Sequence, residues 1–273
     1  ITKVGSGILT LSNNNTYTGT TTVSAGTLNV TGTLSDSTAV TVNTGATYIV
    51  AANDTIASIA GAGNITLSAN LTAGSAGDTT FSGVMSSSGN FTKVGSGTLT
   101  LSGPNTYTGT TTVSAGTLNV TGTLSDSTAV TVNAGATYVV GANDTIASIA
   151  GAGNITLSAN LTAGSTPDTT FSGVIGGTGN FTKVGSGTLT LSGPNTYSGE
   201  NTIAAGVVVL NASGTLGSNS NNLSLTNAAI LNLQKSLTVG NFAMTDSNSI
   251  INTSGASTFT VGGTAVLAGS ITT

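Results

Sequence analysis

The chain consists of short stretches in which apolar and polar residues alternate one by one. Thr98–Leu101, Thr117–Val120, Val130–Val132 and Asn154–Leu157 each place aliphatic side chains at every second position, with Thr or Asn between them. Because successive side chains of a strand point to opposite faces, this alternation predicts half-buried β-strands. Helical spacing is absent, so we expect about ten strands of three to five residues in each 90-residue block.

That block length is set by an internal repeat. Phe91–Gly97 returns as Phe181–Gly187, and Ile1–Gly7 differs from both only at its first residue. Residues 1–90 and 91–180 are nearly identical, whereas 181–273 diverges after Gly206 but keeps the alternation. Repetition of this kind is typical of solenoids and of tandem domains.

The first two copies differ most in two places. Asn13–Asn14 becomes Gly103–Pro104, and Met85–Ser88 becomes Ile175–Thr178. Pro and paired Gly fit poorly inside a strand, so we predict turns at both places.

Two all-β architectures fit the strand list. One is a right-handed parallel β-helix, a β-solenoid of roughly 12 coils with about 22 residues in each coil. The other is three tandem immunoglobulin-like β-sandwiches of about 100 residues each. Six Phe, five Tyr and no Trp favour the solenoid, whose narrow interior needs small side chains. We therefore predict one continuous solenoid over 1–273, built of the units 1–90, 91–180 and the divergent 181–273.

Only 4% of residues are charged, against roughly 25% in ordinary soluble domains. Ser, Thr and Asn supply the polar surface instead. The many β-branched residues and the net charge of −4 argue against disorder, and no run of about 18 apolar residues predicts a transmembrane segment. Four lysines without any arginine give no basic patch for nucleic acid. The chain opens without Met and ends within its pattern at Thr273, so we expect a segment of a longer protein.

Candidate chemistry is sparse. The chain has no Cys and no His, so we expect no transition-metal site and no cofactor. Most of its acidic residues recur with the repeat, as a unique catalytic site would not, and this favours a role in turns. We therefore expect no catalytic residue and no enzyme activity. These recurring acids are Asp36, Asp54, Asp78, Asp126, Asp144 and Asp168.

Gly95–Gly109 reads Gly-Ser-Gly-Thr-Leu-Thr-Leu-Ser-Gly-Pro-Asn-Thr-Tyr-Thr-Gly and continues through Thr112–Leu118. This segment resembles the autotransporter-associated β-strand repeat, and it occurs at 5–28, 95–118 and 185–208. Thr110 and Glu200 stand where that family usually has a second Gly. The positions that carry the motif, to which we assign structural roles, are Gly95, Leu99, Leu101, Asn105, Tyr107, Gly109, Val113, Gly116 and Leu118.

The resemblance implies a right-handed parallel β-helix that is exported across the outer membrane as the passenger of a bacterial type V secreted protein. We expect an extracellular, surface-exposed structural or adhesive segment, forming a stiff rod or fibre that supports export, display, cell adhesion or self-association. Expected partners are further copies in filaments, or a glycan or protein on a host or neighbouring cell. The alternative is a glycan- or ice-binding module that uses rows of Thr. Tyr107 fits a sugar-stacking platform or a packed corner, and the corner is favoured.

Overall fold

The computed structural model describes residues 1–272, which fold into β-strands and connecting turns without a helix in that range. The chain forms two compact units, Ile1–Ala142 and Asn143–Thr273. Every strand pair described within either unit is parallel. Immunoglobulin-like sandwiches are built from antiparallel sheets, so the prediction of a parallel β-solenoid is confirmed and the sandwich alternative is wrong.

The first unit contains eighteen strands of two to four residues. They are β1 (Thr2–Lys3), β2 (Ile8–Leu11), β3 (Thr21–Val23), β4 (Thr27–Val30), β5 (Ala39–Val42), β6 (Thr47–Val50), β7 (Asp54–Ile56), β8 (Ser58–Gly61), β9 (Asn64–Leu67), β10 (Leu71–Ala73), β11 (Thr79–Phe81), β12 (Val84–Ser87), β13 (Phe91–Lys93), β14 (Thr98–Leu101), β15 (Thr111–Val113), β16 (Thr117–Val120), β17 (Ala129–Val132) and β18 (Thr137–Val140).

The described part of the second unit contains eighteen more. They are β19 (Asp144–Ile146), β20 (Ser148–Gly151), β21 (Asn154–Leu157), β22 (Leu161–Ala163), β23 (Thr169–Phe171), β24 (Val174–Gly177), β25 (Phe181–Lys183), β26 (Thr188–Leu191), β27 (Asn201–Ile203), β28 (Val207–Leu210), β29 (Leu223–Leu225), β30 (Ile230–Leu233), β31 (Leu237–Val239), β32 (Phe242–Met244), β33 (Ile250–Thr253), β34 (Phe259–Val261), β35 (Ala265–Leu267) and β36 (Ser270–Thr272).

Three sheets form the sides of the first unit. Their strand orders are β1-β3-β5-β8-β11-β14-β16-β18, β7-β10-β13-β15-β17 and β2-β4-β6-β9-β12. The second unit has the orders β19-β22-β25-β27-β29-β32-β35, β20-β23-β26-β28-β30-β33-β36, β21-β24 and β31-β34. Because neighbours in a sheet come from successive turns of the backbone, each turn hydrogen-bonds to the turn before it and the turn after it.

One turn of the coil takes about 20 residues. Thr22 pairs with Thr2 on one side and with Thr41 on the other, which are steps of 20 and 19 residues. Residues 1–272 therefore make about 14 turns. The sequence-based number of 12 is close, and it falls short because it assumed about 22 residues per turn.

The core of the first unit is a set of stacked inward-facing side chains. Leu28, Tyr48, Ile65 and Met85 occupy equivalent positions on consecutive turns, and all four are fully buried. The Thr and Asn residues between the inward positions are half-buried or exposed. Full burial of one such apolar side chain contributes roughly 1.5–3 kcal/mol. The predicted alternation therefore places enough apolar side chains inside to stabilise the stacked strands.

One local prediction is wrong. Val84–Ser87 is a strand, not a turn, and Met85 within it pairs with Ile65 and is buried. Its equivalent Val174–Gly177 is also a strand despite two glycines. A glycine is tolerated there because these short strands need only their inward residues for the core.

The repeat does not contain a whole number of turns. β1 lies in the first of the three sheets of its unit, whereas β13, its equivalent one repeat later, lies in the second. With about 14 turns in residues 1–272, a block of 90 residues makes a little over four and a half turns. Equivalent segments of the first unit therefore lie on different sides of the coil. The right-handed winding and the single continuous solenoid over 1–273 stay predictions.

Candidate functional site

The residues predicted to carry the motif converge in the first unit, where they join consecutive turns. Leu99 pairs with Leu118 on the next turn, and Leu101 and Val113 also face the interior; each is at most 2% exposed. This stacking supports the structural roles predicted for them. Tyr107 is fully buried as well, as expected for a corner residue and not for a sugar platform.

Two glycines of the motif meet where one turn lies against the next. Gly95 and Gly116 have φ angles of +73° and +62°, a left-handed conformation that other residues adopt at a cost. A Cβ at Gly116 would lie 2.6 Å from Gly97 O and 2.7 Å from Ser96 C, and closer still to Gly95 O. Gly109 approaches Gly89 of the preceding turn in the same way. Glycine at these positions lets the backbones of two turns pack directly.

Lys93 lies at the same corner, and its side chain is buried, with 1% of its surface exposed. Its Nζ donates to the carbonyl oxygens of Val94 and Gly95 at 2.8 and 2.9 Å. A third hydrogen bond of 3.1 Å goes to Ala115 O, 22 residues further along the chain. All three ammonium donors are therefore used, and one of them is used only when the following turn is in place.

The equivalent lysines form the same cage. Lys3 donates to Val4, Gly5 and Ala25, and Lys183 donates to Val184, Gly185 and Ala205. Burial lowers the pKa of Lys93 and of Lys183, and the nearby Asp78 and Asp168 respectively oppose this shift. Sequence reasoning recognised one repeated lysine position but missed its burial, because the carbonyl cage depends on the fold of the turn.

Asn105 connects three turns. Its side-chain oxygen accepts the Met85 N–H at 3.0 Å from the preceding turn. Its amide nitrogen donates to Gly103 O at 3.0 Å and to Thr123 O of the following turn at 3.1 Å. The side chain is 2% exposed, so it satisfies backbone groups where the strands are interrupted.

Tyr107 completes the network. Its hydroxyl shares a 2.5 Å hydrogen bond with Thr111 Oγ1, and Thr128 Oγ1 of the following turn donates to Tyr107 O at 2.8 Å. In the third copy the hydroxyl of Tyr197 donates to Asn201 Oδ1 instead. We call the set Lys93, Gly95, Asn105, Tyr107 and Gly116 the inter-turn clamp.

A comparison with known protein families matches the segments that contain these residues. The model of the passenger-associated-transport-repeat matches residues 1–30, 91–120 and 181–210. Three segments of the chain therefore match this repeat family. They cover about a third of the chain, and the predicted resemblance to the autotransporter-associated β-strand repeat is confirmed. The comparison with curated proteins found no match, and neither did the comparison with solved structures.

The matched segment 91–120 runs from β13 through β16 and includes all five residues of the inter-turn clamp. The repeats and the β-solenoid together fit a segment of an autotransporter passenger. The repeat suggests export from the cell. Sequence and structure thus place the family motif where one turn is fastened to the next.

The acidic residues have separate environments. Asp78 accepts the Thr98 N–H of the next turn at 2.7 Å, as expected for turn chemistry. Asp54, in contrast, opens β7 and is 5% exposed, so its placement in a turn is wrong. Burial raises its pKa, although the N–H groups of Leu34 and Thr55 and the Tyr48 hydroxyl donate to it at 3.0–3.4 Å and oppose the rise.

A second feature was not foreseen: asparagines stack along one corner of each unit. In the first unit Asn53 Oδ1 accepts the Asn70 N–H at 3.0 Å, and Asn70 Oδ1 accepts the Asn90 N–H at 3.1 Å. Asn90 Oδ1 then accepts the Thr110 N–H at 2.7 Å. Asn143, Asn160 and Asn180 repeat the arrangement in the second unit. The available signal was the recurrence of Asn at intervals of about one turn.

Among residues 1–272, no group of three or more acidic, His or Cys side chains is placed to hold a metal ion. The same residues contain no helix of the length and hydrophobicity needed to cross a membrane.

Proposed function

We propose that this chain is a structural segment of an exported autotransporter passenger, displayed outside a bacterial cell, and that its repeats fasten successive turns as they emerge. One observation carries the proposal. Lys93 and Asn105 each reach a carbonyl oxygen of the following turn, Ala115 or Thr123, within a sequence that a transport-repeat family matches.

The hydrogen bonds couple the docking of one turn on another to the burial of a charged group. While the next turn is missing, the ammonium of Lys93 lacks one of its three acceptors and stays open to water. When that turn docks, the same ammonium becomes buried and fully bonded, so the gain from each docking step is local. Folding turn by turn outside the cell would oppose return of the chain through a pore. The scarcity of charge and the absence of cysteine would ease threading.

The segment would act as a scaffold and adhesive element, and we propose no enzymatic role for it. Half-buried Thr and Asn side chains suit many weak contacts with a neighbouring cell surface, whose effects add through multivalency. Unpaired strand edges would allow copies to stack into filaments.

Export can be tested by carrying the chain between a secretion signal and a type V translocator. Leu101→Asp places a charge in the core, whereas Thr100→Asp places it on the outward side of the same strand. We expect surface exposure, measured by protease access on intact cells, to fall severalfold for Leu101→Asp and to stay near normal for Thr100→Asp. Equal export of the two variants would contradict the proposal.

A further inference from the structure

A polar groove runs across the turns of the first unit, outside the inter-turn clamp. It has a volume of about 430 Å³, and two in-register rows of side chains form it. The threonine row consists of Thr55, Thr72, Thr92 and Thr112, which pair with one another on four consecutive turns. The asparagine row consists of Asn53, Asn70, Asn90 and Thr110.

The stacking of the asparagine row fixes its chemistry. Asn53, Asn70 and Asn90 each use the side-chain oxygen to accept an N–H from the next turn. That bond occupies the side-chain oxygen, and each of these lining residues keeps its amide NH₂ group as a donor. Beside it, each threonine hydroxyl can both donate and accept. The groove therefore offers an amide donor and an adaptable hydroxyl on successive turns.

The charge of the groove selects its ligand class. Its lining contains no basic side chain, which disfavours phosphate, sulfate and acidic glycans. Its one acidic side chain, Asp54, is buried and accepts backbone N–H groups of Leu34 and Thr55. A neutral ligand rich in hydroxyl groups matches this lining.

The spacing favours a polymer. Consecutive turns of a solenoid are about 4.8 Å apart, which is close to the length of one sugar unit in an extended chain. The surface is concave, whereas an ice face would need a flat one. We propose that this groove binds a neutral polysaccharide running along the threonine row, with each sugar unit contacting one turn.

The inference is independent of the export proposal, and it is tested on the purified chain. Isothermal titration with cellohexaose, mannohexaose and xylohexaose would measure binding. Thr72→Val with Thr92→Val removes two hydroxyls and keeps β-branched side chains that suit a strand. Thr22→Val with Thr41→Val is the matched control, because these residues pair in the same way on another side of the coil.

We expect at least one hexasaccharide to bind, and we expect the groove variant to weaken binding by roughly five- to tenfold for each hydroxyl removed. The control variant should bind like the parent chain. Absence of binding at about 10 mM of every sugar, or equal weakening by the two variants, would overturn the proposal. Thermal hysteresis that is lost in the groove variant, without sugar binding, would overturn it in favour of ice.

Discussion

Replacing Gly116 by Ala tests whether the close approach of two turns holds the repeat together. The new Cβ would lie 2.6 Å from Gly97 O and 2.7 Å from Ser96 C, on backbone that cannot rotate away. Gly135→Ala is the matched control, since its φ of +82° is also left-handed but no atom lies within 4 Å of its Cβ.

Both variants force alanine into a left-handed conformation, but only Gly116→Ala also places its Cβ against the neighbouring turn. A left-handed conformation costs a non-glycine residue about 1–2 kcal/mol, and the reduced freedom of the unfolded chain offsets about 0.4–1 kcal/mol of that. Gly135→Ala should therefore lose about 1 kcal/mol. Overpacking against the neighbouring turn adds about 1–3 kcal/mol, so Gly116→Ala should lose about 3 kcal/mol.

Urea unfolding followed by far-ultraviolet circular dichroism would measure both losses on the full chain. Amide hydrogen exchange measures the effect locally, even if the two units unfold separately. The amide to follow is that of Thr117, which donates to Gly97 O at 3.3 Å. The exchange rate of that amide should rise in Gly116→Ala and should stay at the parent value in Gly135→Ala. Equal losses in the two variants would refute the reasoning, since only the left-handed conformation would then matter.

Three further predictions concern buried polar groups. Asn105→Ala should destabilise the chain by about 3 kcal/mol, and Asn15→Ala by about 1 kcal/mol. Asn105 makes two buried side-chain hydrogen bonds and one half-buried one, whereas Asn15 makes one half-buried and one exposed. Equal changes in thermal unfolding would contradict this. Lys93→Met should cost about 2–4 kcal/mol by removing three donors from carbonyl oxygens, while Lys235→Met should change urea stability by less than about 0.5 kcal/mol; similar values for both would show that the cage is dispensable. The raised pKa of Asp54 means that its ionisation penalises the folded state, so the contribution of Asp54 to stability should be largest below about pH 4 and should fall as pH rises through the interval up to the folded pKa. Asp54→Asn should remove that fall in thermal unfolding measured between pH 4 and 7, and an unchanged pH slope would count against it.

The alternation of residues was enough to predict the strands and the interior. Leu99 and Leu101 lie two residues apart in one strand, so their side chains point to the same face, and that face is buried. The motif glycines were also predictable, since left-handed turns favour Gly. The number of turns was less accurate, because turn length depends on how tightly each corner closes and strand pattern does not encode that.

Polar side chains were harder to assign. Asn90 and Asn105 are the same residue type, yet one stacks on a surface corner and the other is buried between turns. The burial of Lys93 was not predicted, because it depends on three carbonyl oxygens that converge only after the turns stack. Local sequence does not record which backbone groups will be left without partners.

The mismatch between repeat length and turn length has a consequence for changes in copy number. In the first unit, moving one repeat along the chain carries β1 of one sheet to β13 of another. Gain or loss of one 90-residue block by recombination would preserve every stacking contact within a block. It would also turn whatever follows towards a different side, so such an event would alter the direction in which a downstream region faces as well as its distance.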